Sequence, residues 1–375
     1  MSIRKNTWDL GGHYDLTKSG QNAYVGASIL FAWGSNGFGQ LGQNNRTYNS
    51  SPVQIPGTTW SSISGTSGSH QLAVKTDGTL WAWGKNDDGQ LGQNNTTYYS
   101  SPIQIPGTTW SSASTGQSSG NRGYSISTKT DGTLWSWGRN QHGQLGQNNT
   151  TYYSSPVQIP GNQWKNFTAS GTYYTLATKI DNTLWTWGFN YSGQLGQNNQ
   201  IRYSSPVQIP GTQWSSISAA YQLSATKSDG TLWVWGPNSQ GQLGQNNLTR
   251  YSSPVQIPGT QWSSVTVGVT NMLATKTDGT LWAWGYNNNG RLGQNNVTSY
   301  SSPVQIPGTQ WSSVSSTYHT LATKTDGTLW SWGYNGNGRL GQNNQTPYSS
   351  PIQIPGTSWS SVQATYRYSS ATQRI

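Results

Sequence analysis

Short apolar stretches alternate along the whole chain with segments rich in Gly, Ser, Asn, Thr and Gln. No stretch carries a 3.6-residue period long enough for a helix. In the copy from Trp262 to Gly308, Trp262-Ser-Ser-Val-Thr-Val predicts one strand and Met272-Leu-Ala-Thr-Lys276 a second. Asp278-Gly279 is a two-residue hairpin signal, read as a type I′ turn because Asp-Gly accepts positive φ. Thr280-Leu-Trp-Ala-Trp284 predicts a third strand, apolar on both faces as in a sheet covered from both sides. A long Gly/Asn segment follows from Gly285 to Ser301. Pro303-Val-Gln-Ile306 then predicts a short fourth strand, stopped by Pro307-Gly308.

This unit recurs. Trp-Gly stands at Trp33, Trp83, Trp137, Trp187, Trp235, Trp284 and Trp332, about fifty residues apart, a period that marks stacked copies of one supersecondary unit. The ends divide a copy between them. Residues 27–34 supply only the third-strand pattern, Ile29-Leu-Phe-Ala-Trp-Gly34. Trp359-Ser-Ser-Val and Tyr368 to Gln373 supply the first two strands, and the chain stops before any Asp-Gly. Joining the halves removes the free sheet edges. The predicted fold is therefore all-β: a single seven-bladed β-propeller over residues 27–375, with four-stranded antiparallel blades and a last blade closed by N- and C-terminal strands. A short N-terminal arm, residues 1–26, precedes it.

The pattern Asp-Gly-Thr-Leu-Trp-x-Trp-Gly-x-Asn-x-x-Gly-Gln-Leu-Gly, as in Asp77 to Gly92 and Asp131 to Gly146, resembles the repeats of the RCC1 (regulator of chromosome condensation) family. His70-Gln-Leu-Ala and His319-Thr-Leu-Ala resemble that family's His-containing second strand. The resemblance runs over about residues 27–375 and implies the same seven-bladed propeller. It implies little about activity, because such propellers serve as exchange factors, chromatin binders, enzyme inhibitors and accessory modules. The near-identical, Asn/Gln-rich repeats are closer in texture to RCC1-like repeat proteins of bacteriophages and environmental microbes.

Composition sharpens the picture at three points. Charged residues are only 8% of the chain, yet 21 Trp and 21 Tyr can organise a core that the aliphatic residues alone could not. Cysteine is absent, which excludes disulfides and thiolate metal sites. No signal peptide or membrane span is read from the start or from any apolar run. The net charge of +10 sorts by rim. Antiparallel order puts the Asp-Gly turns and Ile-Pro-Gly links on one rim, which hardly varies between copies and balances its lysines with aspartates. The loops between strands one and two, and those after Trp-Gly, fall on the other rim, which varies and carries the excess charge. The loop from Ser114 to Tyr124 is the longest of its kind.

Arg46, Lys85, Arg122, Arg139, Phe189, Tyr191, Arg202, Arg250, Tyr286, Arg291, Tyr334 and Arg339 are the candidate ligand- or partner-binding residues of that rim. A ring of tyrosines from Tyr48 to Tyr348 is read as part of the same surface. Trp8, Tyr14 and Tyr24 are candidates for anchoring the arm in an assembly. Catalysis finds no foothold. There is no Glu, the four histidines fall in different blades or in the arm, and His70 and His319 read as structural. Asp87 and Asp88 look too exposed for a raised pKa, and no cofactor or metal motif is present.

The expectation from these features is a non-enzymatic virion protein of a bacteriophage. It would be tail- or fibre-associated and located in the particle, with other virion proteins and a host-surface glycan or envelope protein as partners. The alternative is a cytosolic protein–protein interaction propeller, an inhibitor or exchange-factor-like. Nucleic-acid binding through the basic rim comes third and is disfavoured, because the cations are scattered singly among the blades.

Overall fold

The computed structural model describes residues 28–64, 69–117, 122–169 and 173–374; the arm with Trp8, Tyr14 and Tyr24 lies outside the described residues. Within them the strands form seven four-stranded antiparallel sheets. Six blades are continuous in sequence: blades one to six occupy residues 60–105, 110–158, 164–209, 214–257, 262–306 and 311–354. Blade five shows the pattern, with strands Trp262–Val267, Asn271–Lys276, Leu281–Gly285 and Tyr300–Ile306 side by side. Its fourth strand begins at Tyr300 rather than Pro303, because Tyr300 pairs with Gly285 across a bulge. Pro303 falls inside that irregular stretch, where its missing N–H costs no ladder bond.

Blade seven closes the ring as predicted. Ser28–Gly34 pairs with Tyr368–Arg374 along its whole length, flanked by Asn49–Ile55 on one side and Trp359–Ala364 on the other. The first strand of every blade is innermost. Ile63, Ser114, Thr168, Ser218, Val267, Ser315 and Gln363, one from each blade, help line a single central cavity of ≈ 220 Å³.

The uniform rim spends its chemistry on itself. Lys75 Nζ lies 4.9 and 4.5 Å from the ring centroids of Trp60 and Trp81, a cation–π clamp repeated at Lys129, Lys179, Lys227, Lys276 and Lys324. In blade seven Gln373 stands opposite Trp359 instead and donates to the Thr357 carbonyl. The Asp-Gly signal makes the hairpin, but the turn is not type I′. Gly78 alone takes positive φ (77°), Gly78 N donates to Lys75 O, and Lys75 N donates to Thr79 O. That is a three-residue loop, a type I turn with a left-handed glycine. Asp77 prefers it because its Oδ1 accepts from both the backbone and the hydroxyl of Thr79, while Trp81 Nε1 donates to the same hydroxyl. Those Thr79 hydrogen bonds hold the Asp77 carboxyl below its usual range.

Blades are joined by the second tryptophan of Leu-Trp-x-Trp. Trp83, Trp137, Trp187, Trp235, Trp284 and Trp332 are wholly buried, and each indole N–H donates to a loop carbonyl of the preceding blade at 2.9–3.0 Å. Trp33 donates to Arg339 O at 3.0 Å and completes the circle. The Gly-Gln-Leu-Gly segment can sit there only as glycine allows. Gly89, at φ +79°, would bring a Cβ within 2.6 Å of Ser154 in the next blade.

Two consequences can be measured. Gln144 O also accepts from the Thr175 hydroxyl, whereas among the described residues Gln194 O has the Trp235 indole as its one side-chain donor. Trp235→Phe should therefore cost about 1–3 kcal/mol more than Trp187→Phe in chemical denaturation, since only the former strands a buried carbonyl. Equal losses would contradict the role given to the indole N–H. The second concerns acid. His70 and His319 are wholly buried, and burial lowers His70 to about 3 and His319 well below its ordinary value. The unfolded chain then binds the protons, so stability falls as pH drops below about 6.5, by up to about 1.4 kcal/mol per pH unit for each histidine. The turn aspartates, held low, withdraw support only below about pH 4. His142 is likewise lowered, to about 4, so His70→Asn/His319→Asn, which installs the residue blade five has at Asn271, should remove most of the loss of thermal stability between pH 6.5 and 4 and leave the share of His142; an unchanged slope would contradict this.

Candidate functional site

The variable rim is built on a hidden scaffold. In Trp-Gly-x-Asn the asparagine is buried: Asn86 Oδ1 accepts from Leu91 N, and its Nδ2 donates to the carbonyls of Asn95 and Thr97. The equivalent Asn36, Asn140, Asn190, Asn238, Asn287 and Asn335 each hold their long loop the same way. These loops are therefore shaped rather than slack. The tyrosines read as surface decoration belong largely to this scaffold. Tyr99, Tyr153, Tyr203, Tyr251 and Tyr300 begin fourth strands, pack on core clusters and accept from an asparagine Nδ2. Only Tyr48 of the set is largely exposed. The longest inner loop is mostly strand: Trp110–Gln117 pairs with Gly123–Lys129 out to Gln117 opposite Gly123.

On that scaffold the cations stack on aromatic rings. Blades two and three carry the longest run. Arg139 lies 6.0 Å from the Tyr152 ring and 5.1 Å from that of Tyr173. Tyr173 packs on His142 at 4.8 Å, His142 on Phe189 at 5.0 Å, and Phe189 on Tyr191 at 4.7 Å. Arg202 caps the row, 5.3 Å from Phe189 and 4.3 Å from Tyr191. Tyr191 is 59% exposed and the neighbouring Ile201 60%. Burial, with the charges of Arg202 and Arg139 behind it, pulls His142 down to about 4. At neutral pH it is an uncharged ring in the row. Four predicted residues, Arg139, Phe189, Tyr191 and Arg202, thus meet in one surface.

A second group crosses blades five, six and seven. Arg291 stacks on Tyr286 and Tyr318, and Arg339 on Tyr334. Tyr318 meets Tyr366 edge to face at 5.5 Å. Arg291 and Arg339 were expected on the open surface, but each is only 3% exposed. The frame Gly-x-Leu-Gly tucks its variable position inward, where other blades place a buried glutamine. The remaining candidates sit apart from both groups. Arg46 lies 5.9 Å from the Tyr98 ring, and Lys85 pairs with Asp87 at 2.9 Å while lying 5.2 Å from Phe38. Arg122 pairs with Asp88 at 2.9 Å, and Arg250 stands exposed in its loop.

Asp88 corrects another expectation. It is 5% exposed, held under the rim by Arg122 and by the backbone of Gly123. For Asp87 burial pushes the carboxyl up, but the Tyr98 hydroxyl, Lys85 and Arg122 outweigh it and hold the group below its usual range. Tyr98 is correspondingly pushed up to about 12 by burial and by Asp87. Sequence reasoning passed over Tyr173, Tyr318 and Tyr366. Their signal was present: Tyr173 and Tyr318 stand directly before a second strand, and Tyr366 two residues before one. Among the described residues no cluster of three His, Asp or Glu side chains could hold a metal ion, and no helix is long and apolar enough to cross a membrane.

Comparison with known proteins places this geometry in a family. No curated protein matches the chain. Human WBSCR16 superposes with a TM-score of 0.81 at 20% identity, covering 92% of this chain and 99% of its own. Prp20p from Saccharomyces cerevisiae gives 0.81 at 19% identity over 94% and 92%. Yeast RCC1 (Prp20), in its crystal structure with Kap60, gives 0.80 at 18% identity over 94% and 90%. At these identities the likeness is one of fold. The family model described as the RCC1-like domain matches residues 30–371, nearly the whole ring, and the chain belongs to that family.

Proposed function

We propose that this protein is a non-enzymatic protein-binding propeller that grips its partner with the variable rim. The observation that carries the reading is the row from Tyr152 through Arg139, Tyr173, His142, Phe189 and Tyr191 to Arg202. Aromatic and arginine side chains held rigid by mutual stacking, with apolar surface open to solvent, are what interface anchors consist of. Among the described residues the opposite rim offers no comparable set: Lys75, Lys129, Lys179, Lys227, Lys276 and Lys324 are already clamped on tryptophans, and Lys165 stands exposed without a ring beneath it. Within the family, Prp20p has been characterised for binding Gsp1p and histones, and yeast RCC1 has been crystallised with Kap60. Those relatives support a protein partner here.

The virion reading and its particle location rest on composition and on the arm, which lies outside the described residues. None of the relatives named above adds support to it. Nucleic-acid binding is weakened by the rim itself: Lys85 and Arg122 are ion-paired, and Arg291 and Arg339 are buried. Few cations remain free to follow a phosphate backbone.

The test is capture by immobilised protein from a lysate of its source cells. One stoichiometric protein should be retained by the wild type and by Lys276→Gln on the uniform rim. Phe189→Ala/Tyr191→Ala/Arg202→Ala should lose it, with a Kd weakened at least about a hundredfold. Retention by the triple variant, or loss with Lys276→Gln, would overturn the assignment.

A further inference from the structure

One blade breaks the repeat on its innermost strand. After the first tryptophan, six blades read Ser-Ser: Ser61-Ser62, Ser111-Ser112, Ser215-Ser216, Ser263-Ser264, Ser312-Ser313 and Ser360-Ser361. Blade three alone reads Lys165-Asn166, followed by Phe167 where the others carry Ala, Val or Ile. The change has a structural cost. On the neighbouring strand, the hydroxyls of Thr128, Thr275 and Thr372 meet serine hydroxyls of this pair at 2.6–2.9 Å. Those of Thr226 and Thr323 accept from Ser216 N and Ser313 N. Thr178, which stands opposite Asn166, is 1% exposed and its hydroxyl has no partner. A buried hydroxyl without a partner destabilises the fold. Departures from a local rule that cost stability collect at functional sites.

The three departures share one cavity. Lys165, Asn166 and Phe167 line a hollow of ≈ 480 Å³ between the first strands of blades two, three and four. Ser112, Ser215 and Ser216 give it polar walls, and Ala113 and Ile217 join Phe167 as its apolar part. Ala113 and Phe167 also line the central cavity, so the hollow adjoins the axis of the ring. It lies toward the uniform rim, where Trp164 pairs with Lys179. Asn166 Nδ2 donates to Ser215 O at 3.1 Å and fixes its amide across the joint between blades three and four. Lys165 is exposed, and the ion pairs among the described residues, Lys85 with Asp87 and Arg122 with Asp88, do not include it. Among the described residues no carboxylate lines the hollow.

We propose that this hollow binds a small organic carboxylate with an apolar body, its charge at Lys165 and its body on Phe167, Ala113 and Ile217. A concave site with an apolar lining and a few placed polar groups is the usual build of a small-molecule pocket. One ammonium supplies one positive charge and matches a monoanion. The hollow has no guanidinium fork and no second cation to favour a doubly charged group. Ser215 and Ser216 add hydroxyls beside the ammonium. The six Ser-Ser blades hold the same scaffold without the cation, which accounts for a single site in a sevenfold ring. This site is on the other side of the disc from the aromatic row and does not depend on the protein-binding reading.

The experiment titrates benzoate, acetate and benzyl alcohol in turn into the full chain by calorimetry, with sodium chloride holding ionic strength constant. Benzoate should bind saturably in the millimolar range. Acetate keeps the charge without the ring, and benzyl alcohol keeps the ring without the charge; each should bind at least about fivefold more weakly. Lys165→Ser/Asn166→Ser restores the sequence of the other six blades and should also weaken benzoate at least about fivefold. Lys165→Met keeps the side-chain stem and Asn166, and should weaken it to a similar degree, which separates loss of the charge from any change in folding. Arg250→Gln removes a positive charge from an exposed loop of the other rim and should bind as the wild type does. No saturable binding of benzoate by the wild type, or equal binding by the Lys165 variants, would overturn the proposal. So would acetate or benzyl alcohol binding as tightly as benzoate, or equal weakening by Arg250→Gln.

Discussion

Everything in this molecule depends on a single repeated hydrogen bond, from the indole of one blade to a loop carbonyl of the blade before it. Seven copies run head to tail, and the one from Trp33 to Arg339 O joins the first described strand to the last full repeat. Each indole is wholly buried, so the bond forms away from competing water, where losing it is expensive. A blade sheet apolar on both faces is stable only if both faces are covered, and in a closed ring each blade covers the next. The carbonyls that accept these bonds lie in the Gly-Gln-Leu-Gly and Gly-Arg-Leu-Gly segments. The joint that holds the ring together therefore also anchors the loops of the variable rim.

That coupling explains why the two rims differ in kind. On the uniform rim, lysine, tryptophan, threonine and aspartate satisfy one another within each blade, through the Lys75 clamp and the chain from Trp81 through Thr79 to Asp77. Little is left over for a partner. On the variable rim the buried asparagine of each loop and the indole joint beneath it fix the backbone, so the side chains above can change without loosening the ring. Sequence variation has collected there for that structural reason. It has produced two different surfaces: an exposed aromatic row across blades two and three, and a buried pair of arginines in blades five and six.

Much of the architecture was legible from the residues. The divided repeat foretold closure because Ile29 to Gly34 and Tyr368 to Gln373 each supply strands the other lacks, and the register from Ser28 opposite Arg374 to Gly34 opposite Tyr368 realises it. Leu-Trp-x-Trp foretold a doubly covered strand because both alternate positions are apolar. The rims were separable because antiparallel order alone puts Asp-Gly and Trp-Gly at opposite ends. What stayed hidden depended on partners distant in sequence. Asp-Gly fits a type I′ turn or a type I turn with a left-handed glycine, and the Thr79 hydroxyl decides between them. Arg291 and Arg339 looked like loop decoration because burial at that position follows from the inward carbonyl of the same residue. The row from Arg139 to Arg202 unites two blades, and no spacing within one copy encodes it.

The central claim is that blade seven, assembled from both ends of the chain, is as firmly held as any continuous blade. Hydrogen exchange read by mass spectrometry tests it directly, because protection reports the free energy of local opening. In a closed ring, the amides of Ser28–Gly34 and Tyr368–Arg374 exchange as slowly as those of Asn271–Lys276 and Leu281–Gly285 in blade five. Rapid exchange confined to the terminal pair, with the internal blades still protected, would mean that the ring stands open and that the indole circuit does not bind it together.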